Sequence, residues 1–159
     1  MDSSTVTRES FRALIKEVTD RLQGRALDAA LQNELNECFP VQGEVFARIF
    51  DGCRAAIAAG WMCEREGGGI KYGRVIKPDT ELNGFSVDVV DMNSLRGPHH
   101  SHPNGEIDLI MPLTAEAKFD GSGAGWLVYG PGSAHFPTVI DGRALILYLL
   151  PQGAINFTR

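Results

Sequence analysis

The sequence has little of what nucleic-acid-binding or membrane-spanning proteins require. Its 15 Lys and Arg residues are outnumbered by 20 Asp and Glu residues, which gives a formal net charge of -5. Nucleic acids and anionic membranes select basic surfaces, and no apolar run approaches the roughly 20 residues that span a bilayer. We therefore expect no nucleic-acid or membrane partner, and a small molecule instead.

Cysteine is scarce as well. The three cysteines, Cys38, Cys53 and Cys63, are odd in number and have no CxxC spacing. This pattern indicates neither a disulfide framework nor a thiolate zinc site. Residues 1–18 carry acidic and polar side chains where a signal peptide has a basic end and an apolar run. We expect reduced thiols and a cytoplasmic location.

Otherwise the composition is that of a globular protein. The 159 residues are 43% hydrophobic and 22% charged, which suits one domain that buries its own core. Glycine is abundant, with 18 residues in the chain, most of them after residue 60. Glycine-rich chains make many tight turns, so β structure is expected in the second part of the chain.

Apolar residues at intervals of three and four predict three short helices in the first sixty residues. The first is capped by Thr7 and closes at Gly24, and the second must stop before Pro40. The third keeps the same period until Gly60. We expect residues 1–62 to form a helical region that packs on the rest of the chain.

Beyond Gly69 the apolar period changes to two, which is typical of strands. The predicted strands cover residues 70–76, 85–90, 106–113, 125–129, 143–150 and 154–157. Turn sequences such as Asp141-Gly142 separate them. Many short strands at this spacing favour a sandwich or barrel, so we expect a β-barrel over 63–159 and a single structural domain overall.

The four histidines cluster in the β-rich part as His99, His100, His102 and His135. His100 and His102 point to one face of an extended segment, and Glu106 follows across a Pro-Asn-Gly turn. Glycines before His135 allow the chain to bend toward them. Three imidazoles and a carboxylate would bind a divalent metal (Fe, Mn, Zn, Ni or Co) with positions left open for water or substrate. The alternative is a set of polar histidines on a surface loop.

Two runs around these histidines resemble the paired motifs of the cupins. HSHPNGE at 100–106 is similar to the first motif, HxH followed after three or four residues by Glu, and GPGSAH at 130–135 is similar to the second. The second motif usually has Pro two positions before its Gly, where this chain has Gly130, with Pro131 next to it. The resemblance implies a mostly β fold with N-terminal helices (α+β), namely a cupin-type antiparallel β-barrel or jelly roll preceded by about three short helices.

A wider resemblance covers nearly the whole chain. The helical first part, the strand at 69–75, RGPHHSHPNGEIDLIMP at 96–112 and YGPGSAHFPTV at 129–139 resemble the 4-hydroxylaminobenzoate lyase family of bacterial 4-nitrobenzoate degradation. This resemblance implies an ammonia-releasing lyase that forms protocatechuate (3,4-dihydroxybenzoate) from an aryl hydroxylamine. Its partner would be a small aromatic acid, and its cofactor a divalent metal on His100, His102, Glu106 and His135.

The same reasoning gives candidate catalytic and substrate-binding residues. Alternation places Asp108 on the face of Glu106, so these two carboxylates are the catalytic candidates, Asp108 as general acid or base unless it is salt-bridged or exposed at the rim. Alternation also places Tyr72 beside Arg74, whose guanidinium can bind a substrate carboxylate. Arg96 competes for that role, and either arginine can instead be an ordinary surface residue.

Trp126 and Tyr148 could line a pocket for an aromatic ring or pack in the core. Strand edges of small barrels often pair across a twofold axis, so a homodimer is expected. Three other functions remain open: a metal-dependent cupin dioxygenase or isomerase acting on another small aromatic acid, a non-enzymatic small-molecule-binding cupin, and a metal storage or structural-metal protein.

Overall fold

Three helices open the chain in the computed structural model, which describes residues 6–157. They are α1 (Arg8–Thr19), α2 (Ala29–Cys38) and α3 (Glu44–Ala59). Thr7 caps α1 through a reciprocal pair of hydrogen bonds with Ser10, and Gly60 ends α3 in the left-handed conformation. Within the described residues, no helix has the length and apolar character needed to cross a membrane.

The described residues also form ten strands, all paired antiparallel. They are β1 (Arg65–Gly67), β2 (Ile70–Ile76), β3 (Phe85–Arg96), β4 (His100–His102), β5 (Glu106–Pro112), β6 (Lys118–Phe119), β7 (Gly125–Tyr129), β8 (Ser133–His135), β9 (Thr138–Pro151) and β10 (Asn156–Phe157). Six strands lie side by side in the order β1-β2-β3-β9-β5-β7, and β6 also pairs with β9. A smaller sheet has the order β10-β4-β8. The prediction of a mainly antiparallel β fold preceded by three helices is confirmed.

Two predicted boundaries are wrong for local reasons. Helix α1 ends at Thr19, not near Gly24, because Arg21 and Leu22 continue in tight turns that still bury the Leu22 side chain. Asp141-Gly142 is not a turn between strands but a bulge inside β9, with positive φ at both residues. The pairing of β9 with β3 shifts register there, which lets β9 continue to Pro151.

The two faces of the large sheet carry different cores. On β9, Leu145, Leu147 and Leu149 belong to a core that also contains helix residues such as Phe11 and Leu31. Alternate β9 residues, from Ala144 to Leu150, belong to a second core on the other face. The apolar stripes of the helices therefore cover one face of the sheet, as their periodicity predicted.

The domain limits at residues 62 and 63 stay a prediction, and residues 1–5 and 158–159 lie outside the described residues.

Helix α2 covers the free edge of β7 with two amide side chains. Asn36 accepts a hydrogen bond from the backbone N–H of Trp126 (2.9 Å) and donates one to its carbonyl (3.0 Å). Gln32 accepts from the backbone N–H of Val128 at 2.8 Å. These side chains replace the hydrogen bonds of a missing neighbour strand, so this edge is closed to further strand pairing.

Candidate metal centre

The small sheet places the histidines. His100 pairs with His135 across β4 and β8, and His102 pairs with Ser133. After His102 the chain reverses through a turn in which Gly105 adopts φ +87. A Cβ at Gly105 would lie 2.7 Å from both the Leu27 side chain and the Tyr129 carbonyl oxygen, so only glycine fits. The turn brings Glu106, the first residue of β5, back against the histidines.

The four predicted ligands converge. One donor atom from each of His100, His102, Glu106 and His135 lies within 4.8 Å of every other. His102 Nε2 is 3.1 Å from Glu106 Oε1, and His135 Nε2 is 3.7 Å from Glu106 Oε2. The Nε2 atoms of His100 and His135 face each other at 3.1 Å. The predicted cluster is therefore present and has the geometry to bind a metal ion.

Two histidines are oriented through their other ring nitrogen. His102 Nδ1 lies 2.9 Å from Ser133 Oγ, and His135 Nδ1 lies 2.5 Å from Asp120 Oδ2. Asp120 also accepts hydrogen bonds from the Tyr129 hydroxyl and from the Thr138 N–H. A carboxylate behind an imidazole fixes its tautomer and leaves Nε2 as the ligand atom. Asp120 is not among the residues predicted from the sequence, because nothing local to residues 120–123 shows that they approach His135.

The electrostatics of the site fit a cation. Among the described residues, His102 Nε2 and both carboxylate oxygens of Glu106 are buried atoms that form no hydrogen bond. His102 Nε2 nevertheless lies only 3.1 Å from Glu106 Oε1. Unsatisfied buried polar atoms cost about 1–3 kcal/mol each. Burial opposes ionisation of Glu106, but His100, His102 and Asp108 outweigh it and bring its pKa to about 2. The His102 imidazole and the anionic Glu106 carboxylate therefore present unpaired ligand atoms of the kind that bind Fe, Mn, Zn, Ni or Co.

Asp108 lies on the same strand two residues beyond Glu106. Its side chain is fully buried, and neither oxygen has a hydrogen-bond partner among the described residues. Burial, followed by the negative charge of Glu106, raises the pKa of Asp108 well above its ordinary value. A raised pKa favours the protonated form of Asp108 beside Glu106, and this arrangement can hold a proton next to the predicted metal ligands.

A cavity of about 1110 Å³ borders the centre, with His100 in its wall. Four of the predicted substrate-binding residues, Tyr72, Arg74, Arg96 and Tyr148, also line it. The large sheet, the segment before His100 and the last strand enclose this space. Of the four clustered side chains only His100 lines the cavity, so a small aromatic molecule bound against His100 would lie beside the histidine cluster.

The fifth predicted substrate-binding residue lies elsewhere. Trp126 does not line the cavity: its ring is buried against Phe39, and its Nε1 donates to the Phe39 carbonyl oxygen at 3.1 Å. Arg74 lines the cavity, but its guanidinium binds both oxygens of Asp88, at 2.8 and 3.2 Å. Asp88 carries no sequence signal of this role, because its partner is set by the pairing of β2 with β3.

Comparisons with known proteins agree on one family. The model described as PnbB: 4-hydroxylaminobenzoate lyase matches residues 13–157 and so includes the whole histidine cluster. A 4-hydroxylaminobenzoate lyase of Nocardioides sp. (strain LMS-CY) is 32% identical over 147 residues, covering 87% of this chain and 87% of the relative. One of Pseudomonas putida is 29% identical over 167 residues, covering 94% and 95%.

Among solved structures, the chain is similar to oxalate oxidase in complex with the substrate analogue glycolate, with a TM-score of 0.45, 20% identity and coverage of 58% of this chain and 57% of that one. It is also similar to the polyketide cyclase RemF from Streptomyces resistomycificus, with a TM-score of 0.41, 16% identity and coverage of 58% and 72%.

Proposed function

The chain belongs to the 4-hydroxylaminobenzoate lyase family, and we propose that it converts 4-hydroxylaminobenzoate to protocatechuate with release of ammonia. The observation that carries the proposal is the family match, which spans both the histidine cluster and nearly all of the cavity wall. Overall the reaction consumes one water and needs no external oxidant. The N–O bond breaks, two ring carbons gain oxygen, and the C–N bond breaks as nitrogen leaves.

We propose His100, His102, Glu106 and His135 as ligands of a divalent metal, which is Fe, Mn, Zn, Ni or Co. When held there, the metal supplies Lewis acidity close to the reacting N–O group. The ligand proposal is supported by the convergence of the four side chains and by the orphaned buried oxygens of Glu106. Asp120 and Ser133 keep the imidazoles in place, so the ligand geometry exists before substrate arrives.

The proposed proton donor is Asp108, and Tyr148 is proposed as a substrate-binding residue beside it. Asp108 holds a proton at its carboxyl group beside Glu106, and Tyr148 lies directly opposite it on β9. Burial raises the pKa of Tyr148 well above its ordinary value, so its hydroxyl stays protonated. Tyr148 lines the cavity, whereas its neighbour Asp108 is fully buried and is not among the residues of the cavity wall. Loss of hydroxide from the hydroxylamine and release of ammonia both require protons, which Asp108 is proposed to supply, while the protonated Tyr148 hydroxyl can donate a hydrogen bond to the substrate.

Two coarser features complete the proposal. The three cysteines are free thiols, two of them buried, which fits a reducing compartment and supports a cytoplasmic enzyme. The large sheet ends at the exposed strand β1, whose unpaired backbone groups can bind another strand. We propose a homodimer, and light scattering coupled to gel filtration measures its mass directly.

The experiment that tests the function is an anaerobic incubation of the purified protein with 4-hydroxylaminobenzoate. We expect protocatechuate and ammonia in equal amounts without oxygen. A protein that forms neither product anaerobically, but consumes oxygen with an aromatic acid when air is admitted, would instead be a dioxygenase. An inactive His102→Ala variant is the control that assigns any turnover to the histidine cluster.

A further inference from the structure

The cationic side chains that line the cavity fall into two groups: some are paired with a carboxylate, and the others are not. Arg74 is neutralised by Asp88, and Arg8 lies 3.6 Å from Glu64. Within the chain that the structure describes, the remaining cavity-lining cations have no carboxylate within ion-pair distance. These are Arg65, Lys77 and Arg96. A carboxylated substrate would lose the hydration of its anion on entering the cavity, so one of these three is its natural counter-charge.

Arg96 differs from the other two in its connection to the metal centre. It is the last residue of β3 and pairs with Thr138, whose N–H binds the Asp120 carboxylate behind His135. The next residue, Gly97, donates its N–H to the Pro137 carbonyl oxygen at 2.6 Å. The backbone of Arg96 is thus attached to the segment that directly follows His135.

The guanidinium of Arg96 is also held in place. Its Cζ lies 4.4 Å from the ring centroid of Phe136, which is a cation–π distance. Phe136 itself stacks on His99, with ring centroids 4.7 Å apart. A positive charge restrained on an aromatic face, with no carboxylate beside it, keeps its hydrogen-bond donors for a ligand.

Asp88 has the opposite effect. Its carboxylate lines the cavity while it binds Arg74, whose Nη2 also donates to the Gly153 carbonyl oxygen at 3.1 Å. Three of the five N–H donors of Arg74 are therefore engaged, and its charge is paired with that of Asp88. A substrate carboxylate beside Arg74 would also lie beside the negative charge of Asp88, to which Arg74 is already paired. That position is therefore unfavourable for the substrate carboxylate.

We propose that Arg96, restrained on Phe136, binds the carboxylate of the aromatic substrate, and that Asp88 keeps that carboxylate away from Arg74. This assignment rests on the proposed function and specifies its substrate class as monocarboxylated aryl rings. Tyr72 and Phe157 are exposed aromatic side chains that line the same cavity and offer surfaces for the substrate ring, and the ring centroid of Phe157 lies 5.5 Å from that of His100.

The test is a binding measurement that needs no turnover. Isothermal titration calorimetry compares 4-nitrobenzoate with its uncharged analogue 4-nitrobenzamide, on wild-type protein and on Arg96→Ala, Arg96→Lys and Arg65→Ala. We expect Arg96→Ala to weaken binding of the acid by roughly tenfold or more and to leave the amide unchanged, since a hydrogen bond to a charged group is lost. Arg96→Lys should recover part of the loss, and Arg65→Ala should bind both probes as wild type does.

Other results would overturn the assignment. Equal affinity of the wild type for acid and amide, an unchanged acid affinity in Arg96→Ala, or the same selective loss in Arg65→Ala would each do so. Asp88→Asn should strengthen binding of the acid relative to the amide, and an unchanged ratio would refute the role of Asp88. Because the probes are not turned over, a protein that binds the acid through Arg96 but releases no ammonia refutes the proposed function alone.

Discussion

Asp120 Oδ2 lies 2.5 Å from His135 Nδ1, and the opposite ring nitrogen of His135, Nε2, therefore points toward Glu106. Although burial opposes ionisation of Asp120, hydrogen bonds from His135, Tyr129 and the Thr138 N–H hold its pKa below the ordinary value. The aspartate is therefore charged and stabilises a fixed imidazole tautomer. Replacing this residue tests the centre without removing a ligand.

Asp120→Asn should lower metal affinity by about 10–100-fold, as expected when a partner behind a ligating imidazole is lost. Asparagine tolerates the positive φ of residue 120, so the backbone should not change. Competition with a chelating dye measures the affinity. Asp141→Asn is the matched control, because Asp141 also has positive φ but lies in the exposed bulge of β9. Equal affinities for the two variants would contradict the role of Asp120.

Gly105→Ala should destabilise the fold and weaken metal binding together. A non-glycine residue in the left-handed region costs roughly 1–2 kcal/mol, and here the added Cβ would also meet Leu27 and the Tyr129 carbonyl. Relief of that clash would displace Glu106. Gly24→Ala separates the two effects, because Gly24 has φ +71 with no atom within 4 Å of the added Cβ. Urea unfolding and dye competition should show a smaller loss of stability and normal metal affinity for Gly24→Ala.

Asn36→Ala should destabilise the protein by about 2–4 kcal/mol, since the N–H and the carbonyl of Trp126 both lose their partner at the sheet edge. The uncovered edge of β7 should also increase aggregation on heating. The control is Asn33→Ala in the exposed part of the same helix. Chemical denaturation with light scattering measures both properties, and identical midpoints for the two variants would show that α2 does not protect the edge.

Asp108→Asn replaces a neutral carboxylic acid by a neutral amide of the same shape. We expect the fold and the metal affinity to persist, because the pKa of Asp108 is already raised by burial and by Glu106. Turnover should fall by about 10²–10⁴-fold, the usual contribution of a general acid or base. Steady-state kinetics beside a metal titration measures this. A tenfold or smaller fall in turnover would indicate a structural role for Asp108.

The sequence was sufficient for the parts of the fold and site that depend on local geometry. Period-two alternation predicts that His100 and His102 share a face, and a three-residue turn predicts that Glu106 returns to them. The caps at Thr7 and Gly60 were likewise local signals. For such features the spacing along the chain largely determines the spacing in space.

Features that depend on strand pairing could not be predicted in this way. The Arg74–Asp88 pair joins residues on β2 and β3, and its existence depends on the register between those strands. Trp126 has the same strand-aromatic pattern as Tyr148, yet α2 covers one and the cavity borders the other. Which face a helix covers is decided by long-range packing, which one sequence does not display.

The most direct test of the account is a metal titration of turnover under anaerobic conditions. Protein stripped with a chelator, and the same protein restored with each of Fe, Mn, Zn, Ni and Co, is incubated with 4-hydroxylaminobenzoate while ammonia is measured. We predict no ammonia from stripped protein and recovery that saturates at one metal ion per chain, with no recovery in His102→Ala. Full ammonia release from metal-free wild-type protein would contradict the metal-centred lyase proposed here.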